Sequence, residues 1–135
     1  VPSIYDDIPD AGQQMSTALA DALAKLHKVD YKSLGLESLG KPEGFIERQV
    51  AGWYKRWEAA KHTDIPEMDE IHKWLNDNMP SSGPAVLVHN DYKLDNVMLA
   101  SDNPGKIEAI FDWDMCTLGD PLADLGALLC YWVDL

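Results

Sequence analysis

His89-Asn90-Asp91-Tyr92-Lys93-Leu94-Asp95-Asn96 is the stretch that says most about the fold and the chemistry of this chain. It stands between two short, continuous apolar runs, residues 85–88 and residues 97–100. Such runs, bounded by turn residues, are typical of buried strands. The stretch is therefore predicted to be a polar loop held between two strands, which is a common position for functional side chains.

A β-hairpin is predicted to bring a second polar segment back to this loop. The turn at residues 102–105 separates the strand at 97–100 from a third apolar run at 107–111, which ends next to Asp112. Phosphoryl transfer needs mainly positioning and charge neutralisation, and Mg²⁺ prefers a few carboxylates, amide oxygens, water and phosphate. The carboxylates of Asp91 and Asp112 and the amide of Asn96 are therefore expected to converge on one cation site.

Helices are predicted for the rest of the chain, at residues 11–27, at 44–61, from a cap at Asp64 to about Asn78 with Pro66 in the first turn, and from Pro121 onward. Capping patterns mark Asp10, Asp64 and Asp120 as the residues that begin three of them. Helical spacing predicts the buried faces, namely Met15, Leu19, Ala22, Leu23 and Leu26 in the first helix, Phe45, Val50, Trp53, Tyr54 and Trp57 in the second, Met68, Ile71, Trp74 and Leu75 in the third, and Leu122, Leu125, Leu128, Leu129 and Trp132 in the last.

Composition narrows the class of partner. The 135 residues carry 11 basic and 23 acidic side chains, a net charge of -12, which disfavours nucleic acid and anionic membranes as partners. No apolar stretch reaches the roughly 18 residues of a membrane span. Cys116 and Cys130 form no CxxC motif and no disulfide framework, which favours a reducing, cytoplasmic setting. We expect a cytoplasmic protein that binds neither nucleic acid nor membrane.

Three segments together resemble the aminoglycoside phosphotransferase family of the protein-kinase-like superfamily. They are HNDYKLDNVML at 89–99, FDWDMCTLGDPLADLGALLCYW at 111–132 and FIERQVAGWYKRW at 45–57, with ALAKLH at 22–27 as a shorter fourth segment. The nearest branch looks like uncharacterised bacterial kinases and the kinase-like domains fused to acyl-CoA dehydrogenases. The resemblance implies an α+β fold, the mainly helical core of a C-terminal lobe with a short strand and a β-hairpin that carries the catalytic loop.

The resemblance also implies roles for single residues. Asp91 looks like the catalytic base that accepts the proton of a substrate hydroxyl. Lys93 stands where protein-serine kinases place a lysine that contacts the γ-phosphate, although a solvated loop lysine is an equal reading. Asn96 and Asp112 look like the Mg²⁺ ligands of the nucleotide site. Asp114 is slightly favoured as a further residue on the metal side.

Structural support of the site is implied for two further residues. His89 resembles a histidine that packs against the catalytic loop, and Asp124 resembles a helix aspartate that hydrogen-bonds the loop backbone. Asp95 is interpreted as a carboxylate that orders the loop. Family members usually have Gly where this chain has Asn90, but Asn tolerates unusual backbone angles better than most residues.

The implied function is an ATP- and Mg²⁺-dependent phosphotransferase acting on a small-molecule hydroxyl. Neither a G-x-G-x-x-G loop nor a strand lysine is recognisable. Residues 1–135 are therefore expected to be part of a C-terminal lobe, with the ATP-clamping N-terminal lobe of the parent chain missing and the isolated activity weak. An aminoglycoside, a choline-like alcohol, a sugar and a hydroxyacyl-CoA all stay open as acceptors, the last mildly favoured, as do ATP or GTP and the oligomeric state. The alternatives are a pseudokinase or regulatory module with the same fold, and a metal-assisted hydrolase.

Overall fold

The computed structural model describes residues 2–131 of the chain. Its helices are α1 (Ala11–His27), α2 (Phe45–Ala60), α3 (Pro66–Asp77) and α4 (Pro121–Tyr131). Its strands are β1 (Val86–Val88), β2 (Val97–Ala100), β3 (Asn103–Ile110) and β4 (Thr117–Gly119), with short 3-10 turns at Ser3–Tyr5, Glu37–Leu39 and Leu94–Asn96. The predicted α+β architecture is confirmed, and no helix among the described residues is long and apolar enough to cross a membrane.

Two small antiparallel sheets frame the polar loop. β2 and β3 form the predicted hairpin, in which Val97 lies opposite Ile110. The predicted bounds of its second strand are wrong, because β3 begins at Asn103, inside the predicted turn at 102–105, and ends before Phe111. β1 pairs with β4, so that Val86 lies opposite Gly119. The second pairing was not predicted, because a three-residue strand that pairs across about thirty positions leaves no periodic pattern in the sequence. The loop at 89–96 therefore leaves one sheet and enters the other.

The core lies where α1 packs against the hairpin and β1. Met15, Leu19, Leu23 and Leu26 are buried and follow helical spacing, which confirms the predicted face of α1, with Ala22 half-buried beside them. They meet buried side chains from the strands, the loop and α4, namely Leu87, Tyr92, Leu118 and Leu128. The hydroxyl of Tyr92 donates to the carbonyl oxygen of Leu19 at 3.0 Å, which ties the loop to the core. Burial, with Asp124 nearby, raises the pKa of Tyr92 to about 12 and keeps that donor protonated.

The helix starts differ from two of the three predicted caps. Asp10 does precede the first residue of α1, as predicted, but it has a left-handed backbone (φ 55°) and its side chain makes no capping hydrogen bond, so the predicted capping contact is wrong. The residue that precedes α3 is Ile65, not Asp64, although Pro66 does occupy the first position. The cap of α4 is confirmed, because Oδ1 of Asp120 accepts a hydrogen bond from the Leu122 amide at 2.9 Å.

The predicted burial of α2, α3 and α4 is largely wrong within the described residues. α2 buries only Phe45, α3 buries none of its residues, and Leu128 is the buried leucine of α4. Trp53 is 56% exposed and Trp74 60% exposed. Also exposed are Ile71, Leu75, Leu122, Leu125 and Leu129, while Trp132 lies outside the described residues. Val50, Tyr54, Trp57 and Met68 are half-buried, since α2 and α3 contact each other and the Tyr54 ring stacks on His72 at 3.7 Å. Periodicity identifies an apolar face but not how much of it is covered.

Candidate active site

Asp124 fixes the first two residues of the polar loop through their backbone N–H groups. Its side chain is fully buried at the start of α4. Oδ2 accepts the backbone N–H of His89 at 2.9 Å, and Oδ1 accepts that of Asn90 at 2.6 Å. Nε2 of His27, at the end of α1, lies 2.9 Å from Oδ2. One carboxylate therefore joins α1, α4 and the loop. The supporting contact of Asp124 with the loop backbone is where the sequence placed it, whereas His27 was not singled out.

His89 links the loop to the end of the hairpin. The fully buried ring lies 2.9 Å through Nε2 from the carbonyl oxygen of Phe111, and Nδ1 accepts the backbone N–H of Asp91 at 3.3 Å. Because the Phe111 oxygen cannot donate, Nε2 carries a proton and donates it to that oxygen. The Trp113 ring packs against it at 4.7 Å between centroids. The loop and the segment after β3 are thereby held in one register.

Asn90 adopts the left-handed backbone that the sequence suggested it would tolerate. Its φ is 66°, which confirms the argument that Asn can replace the usual Gly here. The amide adds a contact that Gly has no atoms for, since Nδ2 donates to the carbonyl oxygen of Met115 at 2.9 Å. The turn at Asn90 directs the next residue, Asp91, away from the core and into a cleft.

Asp91, Lys93 and Asn96 form one polar cluster. Nζ of Lys93 lies 2.8 Å from Oδ1 and 2.7 Å from Oδ2 of Asp91. Nδ2 of Asn96 donates to Oδ2 at 2.9 Å and to the Asp91 carbonyl oxygen at 2.8 Å. The lysine first, and the amide after it, lower the pKa of the Asp91 carboxyl against the opposing effect of burial. Asp91 is therefore ionised at neutral pH.

Lys93 is held from two sides. Its hydrogen bond with Asp91 raises the pKa of the Lys93 ammonium above its ordinary value. Nζ also lies 5.2 Å from the centre of the Tyr131 ring, within the range of a cation–π contact. The side chain is only 21% exposed. The alternative that Lys93 is a freely solvated loop lysine is therefore disfavoured, although these contacts do not test its role towards a phosphate.

Asp112 follows Phe111, the residue whose backbone is hydrogen-bonded to Asn96. The N–H of Phe111 donates to the Asn96 carbonyl oxygen at 2.8 Å, and Asp112 follows with a left-handed φ of 61° and an exposed side chain. The amide nitrogen of Asn96 is occupied by Asp91, which leaves its Oδ1 as a ligand atom. Asp95 and Asp114 are exposed.

The donor atoms suit Mg²⁺ better than a metal caged by the protein. Among residues 2–131 no group of three or more His, Cys, Asp and Glu is arranged to hold a metal ion. Mg²⁺ is usually bound by one or two carboxylates together with water and substrate phosphates. An exposed carboxylate at Asp112 and an amide oxygen at Asn96 fit that chemistry, and their roles as ligands stay a prediction.

A cleft of about 320 Å³ opens beside Asp91. Its wall comes from α2, the polar loop, the segment between β3 and β4, and α4, and consists of Gln49, Trp53, Asn90, Asp91, Met115, Ala123, Ala127 and Tyr131. Gln49 and Tyr131 were not singled out as site residues, because neither belongs to the loop motif, although both lie within the segments 45–57 and 111–132 that carry the family resemblance. His27 did leave a signal, because it ends the ALAKLH segment, but its partner Asp124 lies 97 positions away.

The fold is that of a kinase-like phosphotransferase, and comparison with known proteins agrees. A family model described as "Phosphotransferase enzyme family" matches residues 6–134, and the chain belongs to this family. The predicted aminoglycoside phosphotransferase resemblance and kinase-like fold are thereby confirmed.

Two curated relatives carry the predicted link to acyl-CoA dehydrogenases. Acyl-CoA dehydrogenase family member 11 of Gallus gallus is 39% identical over 123 residues, which are 88% of this chain and 16% of the relative. Family member 10 of Mus musculus is 36% identical over 135 residues, 98% of this chain and 12% of the relative. The chain therefore spans a small part of the relatives that it matches.

Two solved structures share the fold. A candidate aminoglycoside phosphotransferase from Ralstonia eutropha has a TM-score of 0.84 at 32% identity, over 92% of this chain and 38% of that chain. Macrolide 2'-phosphotransferase type I has a TM-score of 0.61 at 26% identity, over 84% of this chain and 37% of that chain. The chain thus corresponds to less than two fifths of either structure.

Proposed function

We propose that this protein transfers the γ-phosphoryl group of ATP to a hydroxyl of a small molecule, and that Asp91 binds that hydroxyl. The arrangement of Asp91 carries the proposal. A carboxylate accepts about four hydrogen bonds, and here Lys93 and Asn96 supply three, one to Oδ1 and two to Oδ2. The carboxylate is thus fixed in orientation, and Oδ1 keeps room for one more donor on the cleft side.

The proposed step is an in-line displacement at phosphorus. The acceptor O–H bond breaks and a bond forms between the acceptor oxygen and the γ-phosphorus, while the bond from that phosphorus to the bridging oxygen of ATP breaks and ADP leaves. The proton passes to Asp91. Because the transition state is largely dissociative, the hydroxyl needs positioning more than strong deprotonation, so a carboxylate with a lowered pKa is suited to the task.

The nucleotide side of the site is assigned to Asn96, Asp112 and Lys93. Mg²⁺, when bound, neutralises charge on the nucleotide phosphates, and Oδ1 of Asn96 with the Asp112 carboxylate would hold it. Lys93 would exchange part of its contact with Asp91 for a γ-phosphate oxygen. Its charge is kept by the raised pKa of its ammonium.

The described residues are proposed to form the acceptor and metal side of the enzyme, with the ATP clamp supplied by another lobe. No glycine-rich G-x-G-x-x-G loop occurs in the sequence, and the chain covers 38% of the related Ralstonia eutropha structure. A cytoplasmic setting, without nucleic acid or membrane as partner, stays part of the proposal on the basis of the net charge of -12 and the two free cysteines.

The test is an assay of ATP-dependent phosphorylation on the protein as its gene encodes it, with a panel of alcohols as acceptors. Asp91→Asn should lower kcat by about 10²–10⁴-fold, as expected for loss of a positioned acid–base group. Asp21→Asn is the control, because Asp21 is an exposed acid on α1 outside the polar loop and the cleft, and it should leave kcat near the wild-type value. Asp112→Asn should raise the Mg²⁺ concentration needed for half-maximal rate.

The outcomes separate the alternatives. If Asp91→Asn and wild type had equal kcat, Asp91 would not be the residue that binds the acceptor hydroxyl and accepts its proton. Binding of Mg-ATP without any phosphorylated product would favour the pseudokinase reading. Release of free phosphate from ATP, with no phosphorylated acceptor, would instead identify a hydrolase.

A further inference from the structure

The cleft beside Asp91 continues into a second cavity between α2 and α3. This cavity, the α2–α3 groove, has a volume of about 510 Å³, and its apolar wall includes Val50, Trp57, Met68, Ile71 and Leu75. Gln49 and Trp53 line both the cleft and the groove. These two residues lie one helical turn apart on the same face of α2. The cleft and the groove therefore form one path that leads away from Asp91.

Both linings hold little charge. Asp91 is the one carboxylate among the described residues that line either cavity, and Lys93 already pairs with it. The lining also contains one arginine, Arg56, whose guanidinium lies 4.6 Å from the centre of the Trp53 ring. The acidic excess of the chain is thus not concentrated in this path. A polycation entering it would lose its hydration without gaining carboxylate partners.

We propose that the cleft and the groove bind the phosphoryl acceptor, and that the acceptor is an alcohol with an elongated, uncharged, apolar body. This inference rests on the proposed function, which it deepens. The acceptor hydroxyl donates to Oδ1 of Asp91, and the body passes Trp53 into the groove. Trp53 is 56% exposed, so it presents a broad apolar surface where cleft and groove meet. Polycationic amino sugars are excluded as acceptors.

The test compares acceptors of increasing chain length on the protein as its gene encodes it. The probes are unbranched primary alcohols of about four to about ten carbons, with kanamycin as the polycationic amino sugar. Binding is measured by calorimetry without nucleotide, and transfer is measured with ATP and Mg²⁺. We expect affinity and kcat/KM to rise up to about fourfold for each added methylene that the groove buries. Kanamycin should neither bind nor be phosphorylated.

Three variants assign the effect to the groove. Trp53→Ala should flatten the dependence of affinity on chain length. Ile71→Glu places a carboxylate on the groove wall and should weaken the longest alcohols most, and Ile71 is 52% exposed, so the fold should survive. Trp74→Ala is the matched control, because Trp74 is 60% exposed on α3 but outside both linings. It should keep the wild-type dependence on chain length.

Failure of this inference is distinguishable from failure of the proposed function. Transfer to kanamycin, with binding that does not change with chain length, would overturn the inference and leave the phosphotransferase standing. Binding that rises with chain length and depends on Trp53, with no transfer to any alcohol, would support the apolar site and overturn the proposed reaction. Absence of both binding and transfer would overturn both.

Discussion

Replacing Asp124 by Ala would remove the acceptor that joins α1, α4 and the polar loop. The backbone N–H groups of His89 and Asn90 and the ring of His27 lie 2.6–2.9 Å from its oxygens, and the carboxylate is fully buried. Each buried donor left without a partner costs about 1–3 kcal/mol. Part of that cost is recovered when water reaches His27, whose side chain is 15% exposed. We therefore expect Asp124→Ala to lower the free energy of unfolding by about 3–5 kcal/mol, as for other broken buried polar clusters.

Urea denaturation followed by circular dichroism measures this loss. With an m-value near 2 kcal/mol per M, the midpoint should fall by about 2 M. Asp124→Asn keeps the shape and one oxygen acceptor but turns an N–H₂ group towards a donor, so a smaller loss is expected. If Asp124→Ala does not fold at all, the loss of stability is measured on Asp124→Asn. Asp21→Ala, an exposed acid on α1, is the control and should change stability by about 0.5 kcal/mol or less.

A loss below about 1 kcal/mol for Asp124→Ala, or a loss equal to that of Asp21→Ala, would refute the reasoning. Amide hydrogen exchange gives a second readout at the loop itself. Exchange at His89 and Asn90 should accelerate in Asp124→Ala, because both amides lose their acceptor. Unchanged protection there would mean that other contacts order the loop.

Two further predictions concern the charge of the loop and the packing of the strands. In Lys93→Met the pKa of Asp91 should rise towards the ordinary aspartate value, measured by NMR titration of the carboxyl carbon, because the largest cause of its lowering is gone. Since the folded-state pKa of Asp91 is lowered, its pairing stabilises the fold above the unfolded pKa; the advantage of wild type over Lys93→Met should persist at neutral pH and fade as the pH falls through the folded-state pKa. Equal pH dependence in the two proteins would contradict this. Gly119→Ala should cost about 1–3 kcal/mol in thermal unfolding, because the added Cβ would lie 2.7 Å from the buried aromatic ring at the start of α2. Gly126→Ala meets no atom within 4 Å and, being helical, should instead stabilise by up to about 1 kcal/mol; a loss at both glycines would show that packing is not the cause.

Local patterns predicted local structure well. The helix at Ala11–His27 and the strand at Val97–Ala100 have the bounds expected from the sequence, because helical spacing and apolar runs act over a few neighbouring residues. β4 escaped prediction since its three residues form a strand only by pairing with β1. α3 shows a second limit of prediction from sequence. Its apolar positions indicate which face of the helix should be buried, but they do not identify what packs against that face.

The motif predicted that Asp91 and Asn96 lie together but not how they bond to one another, and the convergence of Asp112 with them on one cation stays a prediction. The side chains of Asp91 and Asn96 are in contact, and the N–H₂ group of Asn96 donates both of its hydrogen bonds to Asp91. Which way the Asn96 amide points depends on its side-chain rotamer, and the sequence motif does not specify that rotamer. The pairing of Lys93 with both oxygens of Asp91 is of the same kind. His27 was missed because a contact across 97 positions has no local signature.

The peptide groups on either side of Phe111 bind the two halves of the site together. Its N–H donates to the Asn96 carbonyl oxygen, and its own carbonyl oxygen lies 2.9 Å from Nε2 of His89, while its side chain is 50% exposed. Main-chain groups are present whatever the side chain is, with proline as the exception because it has no N–H. The alignment of the loop with Asp112 is therefore protected against almost every amino-acid change at position 111. A substitution there can alter the exposed surface beside the loop while the polar cluster keeps its geometry, so position 111 is free to vary without disturbing the arrangement of Asp91 and Asn96.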